Sequence, residues 1–495
     1  MTSRPQLPPQ PNDSQLKQAL GLGIGIWDYM EKNQRELGDT FTLKLPGQGP
    51  MVWTADQDVI RDVLKLREDQ YDASLVQLPV DVGEQNTVFL NEKEHQDARK
   101  LIIPSFTTNL LKNRAGVMQE IVEAHINRLH PGERINLPRF VGDITLDIIC
   151  YTLLGLRDGA RKERYKELML NWLLEATSDV NFTLGATVGA RRYRKFLNNQ
   201  YLRRTEKGQM GNGKKGLLPW KRAVDLKVQL AALLREDIRA IRARNAADPA
   251  GCANESHVLS LLARATDADG QPLGEERLIS ESIGLLIAGH ETSAATAAWF
   301  MVWLQQKPAV YRKIREEVVA SIAHEGELNA VKISELPYLT ACLNESQRLT
   351  PSAIGFIRWL RQDTQLGHLF LPAGTAVLPN IYLTQRDKKI YGPDALEYRP
   401  ERWLEEGKKF GPSEFLPFGG GRRACVGMNQ GRQQLRIIFA ELARRVEFSS
   451  EFQNTNKLPR SRMIGGQTEP EKGVWLTVKE VRPAQYGFAV LAKTA

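Results

Sequence analysis

A mostly α fold with minor β structure is what this sequence predicts, and three observations carry the prediction. From about residue 56 onward, apolar residues recur at helical spacing through most of the chain. Strand-like runs are few and short, at 41–54, 369–378 and 473–479. Nothing repeats with a period of about 20–50 residues, which sets aside solenoids and propellers.

In chain order, a polar, proline-rich start (Pro5, Pro8, Pro9, Pro11) reads as a disordered lead over residues 1–12, with one domain over 13–495. The lead lacks the apolar core of a secretory signal. Leu20–Met30 is apolar but short and broken by glycines. Phe41–Leu45 and Met51–Thr54 flank Pro46-Gly47-Gln48-Gly49-Pro50 as two strands around a turn. Helices follow near 56–66, 92–102, 115–129, 139–154, 161–177, 187–205, 221–245, 256–265, 275–306, 308–323, 335–349 and 428–445. Gly208–Gly216 is linker-like and reads as a long surface loop.

Composition places the chain among globular proteins, with 42% hydrophobic and 25% charged residues. The net charge of +9 is a local property: residues 191–222 hold eleven basic side chains against one acid, Glu206. Nucleic-acid binding is therefore not indicated. The segment reads either as a solvated, variable loop or as a peripheral contact with an anionic lipid surface or acidic substrate. No run reaches the about 18 apolar residues that a transmembrane anchor needs. Cys150, Cys252, Cys342 and Cys425 are scattered, without the spacing of a disulfide framework or zinc knuckle, which fits a reducing, cytoplasmic location.

The most informative run is Phe418-Gly419-Gly420-Gly421-Arg422-Arg423-Ala424-Cys425-Val426-Gly427, just ahead of an amphipathic helix. A helix N-terminus and nearby positive charge favour a thiolate, and glycines let backbone N–H groups approach the sulfur. A cysteine so placed suits a metal, and haem iron with a thiolate axial ligand is one known use. For the cysteine alone, a structural residue in a glycine-rich turn is the plainer reading.

Three further groups carry chemistry. Within the long pattern from Glu275 to Gln306 stands Ala288-Gly289-His290-Glu291-Thr292. An acid beside a hydroxyl in a buried helix is costly without partners or work; a helix–helix contact at Gly289 with an outward Glu is the alternative. Glu345 and Arg348 share a helix face at i, i+3, and Arg402 of Pro400-Glu401-Arg402-Trp403 can join them as a buried three-member network. A surface ion pair is the default there. His95 and Arg99 stand at i, i+4 on one helix face, a common spacing by itself.

Together these residues resemble the haem-thiolate monooxygenases, the cytochrome P-450 family. The acid–alcohol motif, Glu345-Ser346-Gln347-Arg348 as Glu-x-x-Arg, Pro400-Glu401-Arg402-Trp403 and the cysteine loop occur in the family's order. The loop matches Phe-x-x-Gly-x-Arg-x-Cys-x-Gly at every fixed position, and the likeness runs from about residue 20 to 480. It implies a large helical domain with small sheets, and haem b (iron protoporphyrin IX) between the long helix and the cysteine-loop helix. Cys425 then becomes the axial iron ligand, packed by Phe418 and caged by the Gly419–Gly427 amides. Arg423, His95, Arg99 and Arg358 match haem-propionate partners, and Ala288 lies over the haem. Glu291 and Thr292 match the proton-delivery pair, and Glu345, Arg348 and Arg402 become structural. Two positions depart from the common pattern, Gln385 where a His is frequent and Glu291 where Asp is frequent. His290 and His368 are read as ordinary polar positions.

The resemblance further implies insertion of one atom of O2 into a lipophilic substrate such as a terpenoid, steroid or fatty acid. Electrons would come from a ferredoxin or flavodoxin with its reductase, meeting basic residues such as Arg422 and Arg432. A monomer is expected. The alternatives are a hydroperoxide-driven peroxygenase or isomerase and, from another class, a non-catalytic haem sensor. Pocket candidates by family position are 73–90, Leu285, Ala288, 353–356, Met463 and Ile464.

Overall fold

The computed structural model describes residues 4–484 apart from 76–79, 212, 214–217, 253–254, 268, 326–329, 334, 454 and 465. Helices dominate, and the long helix Glu275–Gln306 is their centre. Glu275 and Glu276 in its first turn oppose the positive end of the helix dipole. Every residue from Ser293 to Gln306 is buried, as expected of a helix that is apolar all round. It packs along Leu137–Ile149 on one side, and Phe300 meets Phe439 of the helix Met428–Arg445 edge-to-face at 4.5 Å on another.

The largest sheet has five strands in the order Thr40–Lys44, Pro50–Thr54, Ala376–Pro379, Arg358–Leu360 and Tyr71–Asp72. The first two are the hairpin read from the sequence, paired Phe41 to Trp53. The parallel register Val52 to Val377 brings in a strand more than three hundred residues away. A three-stranded sheet joins Arg134–Asn136, Trp475–Val481 and Val446–Ser449, and Ser461–Ile464 pairs with Gln467–Pro470 as a hairpin.

Most sequence-read helices stand within a few residues of their expected ends, and the differences have local causes. Leu20–Met30 belongs to two helices, Gln15–Gly23 and Ile26–Leu37, separated by Gly25 at φ 72°. The helix expected over 139–154 ends at Ile149 and runs into a wide turn, Cys150–Leu154, closed by Gly155 at φ 76°. Asp179–Val188 forms a helix that the sequence reading left unassigned. The proline-rich lead, expected to be disordered, is corrected over residues 4–12. Thr42 donates from its backbone N to Pro9 O at 2.8 Å and from Oγ1 to Pro8 O at 2.9 Å, so the lead covers the open edge of the large sheet.

Among the described residues, no helix is long and apolar enough to cross a membrane. The basic segment is partly internal: Arg194 is buried on Glu84, while Arg204 pairs with Asp225 and Arg222 with Glu175. Arg192, Lys195, Arg203 and Lys207 stay exposed. Lys214 and Lys215 lie outside the described residues.

Candidate functional site

A cavity of about 330 Å³ opens between the long helix and the cysteine loop. Ala288 and Thr292 line one wall, and Phe418, Gly419, Cys425 and Gly427 the other. Cys425 opens onto this internal space, where surrounding protein still shields it from bulk water, and its backbone N is held by Phe418 O at 3.0 Å. The loop needs its glycines. Gly419 and Gly421 take φ 66° and 67°, and a Cβ on Gly421 would lie 2.4 Å from Leu64 O. Arg432 stacks over Phe418 at 5.0 Å, fixing the ring beside the cysteine.

The thiol itself corrects the expectation of a lowered pKa. Burial pushes it above the ordinary thiol value, and the Gly427 amide and the Arg99 charge only partly offset that. A bound metal ion is the further charge that deprotonates a coordinating thiol outright.

The propionate candidates gather around Arg423, which lines the cavity, while Arg99, Arg358 and His95 stand near it outside the lining. Arg99 donates to Ala424 O at 2.9 Å, Arg423 to Tyr71 Oη at 3.1 Å and to Leu90 O, and Arg358 to Ile357 O at 3.0 Å. Arg358 also stacks over Tyr71 and Phe356 at 5.0 and 4.9 Å. Burial, with the Arg423 charge nearby, pulls the Arg358 guanidinium down to about 10. Arg99 is lowered for the same reasons. His95 is buried with Nδ1 2.9 Å from Glu68 Oε1; burial first, then Arg423, lowers its pKa. Glu68 is the carboxylate that faces this cluster, and its Oε2 has no hydrogen-bond partner among the described residues. One buried arginine, Arg358, and two half-buried ones, Arg99 and Arg423, against one carboxylate fit a group that brings two carboxylates of its own. With a soft thiolate across an apolar gap, the donor set fits haem.

The acid–alcohol pair divides. Thr292 faces the cavity and donates Oγ1 back to Ala288 O at 2.8 Å. Glu291 is absent from the cavity lining. Burial, and then the Glu469 carboxylate, raises its carboxyl to about 7. His290 is buried against Gly142 and Thr145, with Thr145 Oγ1 3.3 Å from Nδ1. His368 lies exposed, 3.9 Å from Asp56.

Below the cysteine loop the expected three-member network is present. Arg348 donates Nε and Nη2 to Glu345 at 2.8 Å each, and Arg402 Nε reaches the same carboxylate at 2.9 Å, with all three side chains fully buried. Arg348 Nη1 also holds the carbonyls of Gln385 and Ala395. Gln385 returns to the loop by accepting Leu416 N at 2.8 Å.

Of the pocket candidates, Leu285, Ala288, Ala353, Gly355 and Phe356 line the cavity. The described part of 73–90 and Met463 do not; Met463 packs into the core beside the large sheet. Residues 76–79 and the Ile464 side chain lie outside the described residues. Glu68, Tyr71, Gln430 and Gln434 were missed in the sequence. Only the glutamines carried a signal, as polar positions on the inner face of the cysteine-loop helix.

Comparison with known proteins agrees with this geometry. A sequence model of the family described as cytochrome P-450 matches residues 7–475. Cytochrome P-450 135B1 of Mycobacterium tuberculosis is 28% identical over 97% of this chain and 93% of its own length. Cytochrome P-450 3A31 of Mesocricetus auratus is 23% identical over 92% and 87%. The solved structure of retinoic acid-bound cyanobacterial CYP120A1 superposes with a TM-score of 0.73 at 20% identity, covering 97% of this chain and 100% of that one. The chain belongs to the cytochrome P-450 family and is an oxidoreductase of the haem-thiolate monooxygenase kind.

Proposed function

We propose that the chain inserts one oxygen atom of O2 into a lipophilic substrate over haem b held by Cys425, drawing electrons from a separate ferredoxin or flavodoxin. The observation that carries this reading is Cys425 and Thr292 facing each other across one cavity, with Arg423 on its lining and the buried Arg358 close to Arg423. Haem bound there supplies dioxygen binding and reduction, with thiolate donation favouring O–O cleavage.

The chain's own residues do the rest. Cys425 gives the sulfur, and the Gly427 amide supports its charged form. Arg99, Arg358 and Arg423, with His95, take the propionates. Ala288 and Gly289 let a flat group lie against the long helix. Thr292 holds a hydroxyl at the reacting face, and Glu291 exchanges protons behind it with a pKa suited to neutral pH. Glu345, Arg348 and Arg402 keep the loop beneath from shifting.

The mostly apolar lining, with Phe106, Ile149, Leu285 and Phe356, supports a lipophilic substrate. The exposed Arg422 and the half-buried Arg432 near the cysteine support an acidic redox partner. The free, buried Cys150, Cys252 and Cys342 support a reducing, cytoplasmic setting.

The test is oxidation of a spectrally selected lipophilic ligand, with NADH and a surrogate ferredoxin system, against peroxide alone. NADH-dependent product is expected. Product from peroxide only would replace this reading with the hydroperoxide-driven one.

A further inference from the structure

Two adjacent carbonyls of the long helix each accept a side-chain donor, and the donors come from different directions. Ala288 O takes Thr292 Oγ1 at 2.8 Å, from the same helix. Thr145 Oγ1, from the helix Leu137–Ile149, approaches His290 O at 3.3 Å but has its nearer acceptor in Gly142 O at 3.0 Å. Gly289 O takes Gln434 Nε2 at 3.4 Å, from the helix that follows the cysteine. Side-chain donors at helix carbonyls compete with the backbone ladder and make a turn deformable. A deformable turn needs outside bracing if its Thr292 hydroxyl is to keep one position.

Gln434 is built for that task. It lines the cavity and is only 2% exposed. Its Nε2 also donates to Ser293 Oγ, so one amide grips two groups on the turn. Its Oε1 is buried without a hydrogen-bond partner among the described residues. Leaving an acceptor unmet is costly. Turning the amide over would set that oxygen against the Gly289 carbonyl, acceptor to acceptor, so the donor side faces the turn. On the other flank, a Cβ on Gly289 would lie 2.8 Å from Ile149 Cδ1, which leaves the backbone little room to retreat.

We propose that Gln434 is a positioning residue for oxygen activation: it fixes the Gly289 carbonyl and the Ser293 hydroxyl, and so sets the Glu291–Thr292 turn relative to the cysteine side. This rests on the reading of Thr292 as the proton-delivering hydroxyl. The link runs between the helices of the two sides of the cavity, 145 positions apart in sequence.

The experiment uses the haem-loaded enzyme with a substrate that gives a spin-state shift, and compares Gln434→Met, Gln434→Glu, Ser293→Ala and Thr292→Ala. Gln434→Met keeps the volume and loses the donor. Its product per NADH should fall about fivefold, the factor one hydrogen bond's worth of positional free energy gives. The substrate-induced spin shift should stay at the wild-type level. Gln434→Glu offers a donor only when protonated, so its coupling relative to wild type should be near one at the acid end and decline as pH rises. Thermal midpoints of Gln434→Met, Ser293→Ala and the double variant should be non-additive. Wild-type coupling in Gln434→Met, or additive midpoints, would overturn the brace. If Thr292→Ala also coupled normally, the reading of Thr292 itself would fall. Uncoupling in Thr292→Ala alone would leave that reading standing and reject only the brace.

Discussion

Arg402 donates from Nε to Glu345 Oε1 at 2.9 Å across 57 positions, with both side chains fully buried. Arg348 holds the other side of the same carboxylate. One acid thus ties a helix to the segment that leads into the cysteine loop. Removing it leaves the buried Arg348 without a carboxylate and Arg402 with only the more distant Asp394.

Glu345→Gln should therefore destabilise the haem-loaded protein by about 3–5 kcal/mol, the usual cost of breaking a buried pair. Denaturant titration followed at the Soret band measures it. Arg402→Lys should lose most of the same stability, because an ammonium cannot reproduce the guanidinium fork that also holds Tyr391 O and Asp394 O.

Cys425→Ser is expected to keep the fold and lose the thiolate-type Soret band of the ferrous carbonyl complex. Oxygenation should fall with it, since a neutral hydroxyl ligand does not donate charge as sulfur does. Retention of the thiolate-type band would remove Cys425 from the axial position.

Arg358→Met separates the haem-free from the haem-loaded protein. The Arg423 charge lies close enough to lower the protonation of both Arg358 and Arg99. Removing one like charge should raise the thermal midpoint of the haem-free protein. The same change should speed haem loss to apomyoglobin about tenfold or more, the weight of one charged hydrogen bond. A haem-loss rate that stays at the wild-type value would contradict the propionate role.

Glu291 predicts a pH dependence with a defined direction. Burial and Glu469 raise its carboxyl to about 7 in the folded protein. Between the ordinary carboxyl value and about 7, the folded state therefore holds a proton that the unfolded chain has released. Its contribution to stability is full below the ordinary value and is lost as pH rises through about 7. Glu291→Gln should gain thermal midpoint relative to wild type across that window. Its coupling should lack the decline expected of wild type above about pH 7.

Much of this site was readable before any coordinates, because its parts are local. The glycines at 419–421 are demanded by backbone torsions and by the closeness of Leu64, and such demands appear directly in the residue string. Glu345 and Arg348 share a face because helix geometry puts i and i+3 together. The long helix over Glu275–Gln306 was legible from apolar spacing alone. The first two helices were not, because Gly21, Gly23 and Gly25 interrupt a short apolar run and local propensity there is weak.

By itself the sequence determined the family, the mostly helical architecture and the glycine-rich loop around Cys425, since each follows from spacing that a short stretch of backbone enforces. Only the tertiary structure decided who faces whom. It put Tyr71 on Arg423 across 352 positions and Gln434 on Ser293 across 141. It also set Glu469 against Glu291, and turned the Cys425 thiol toward a raised pKa despite its basic neighbours. Desolvation and long-range charge depend on what the whole chain wraps around a group, and no local pattern encodes that.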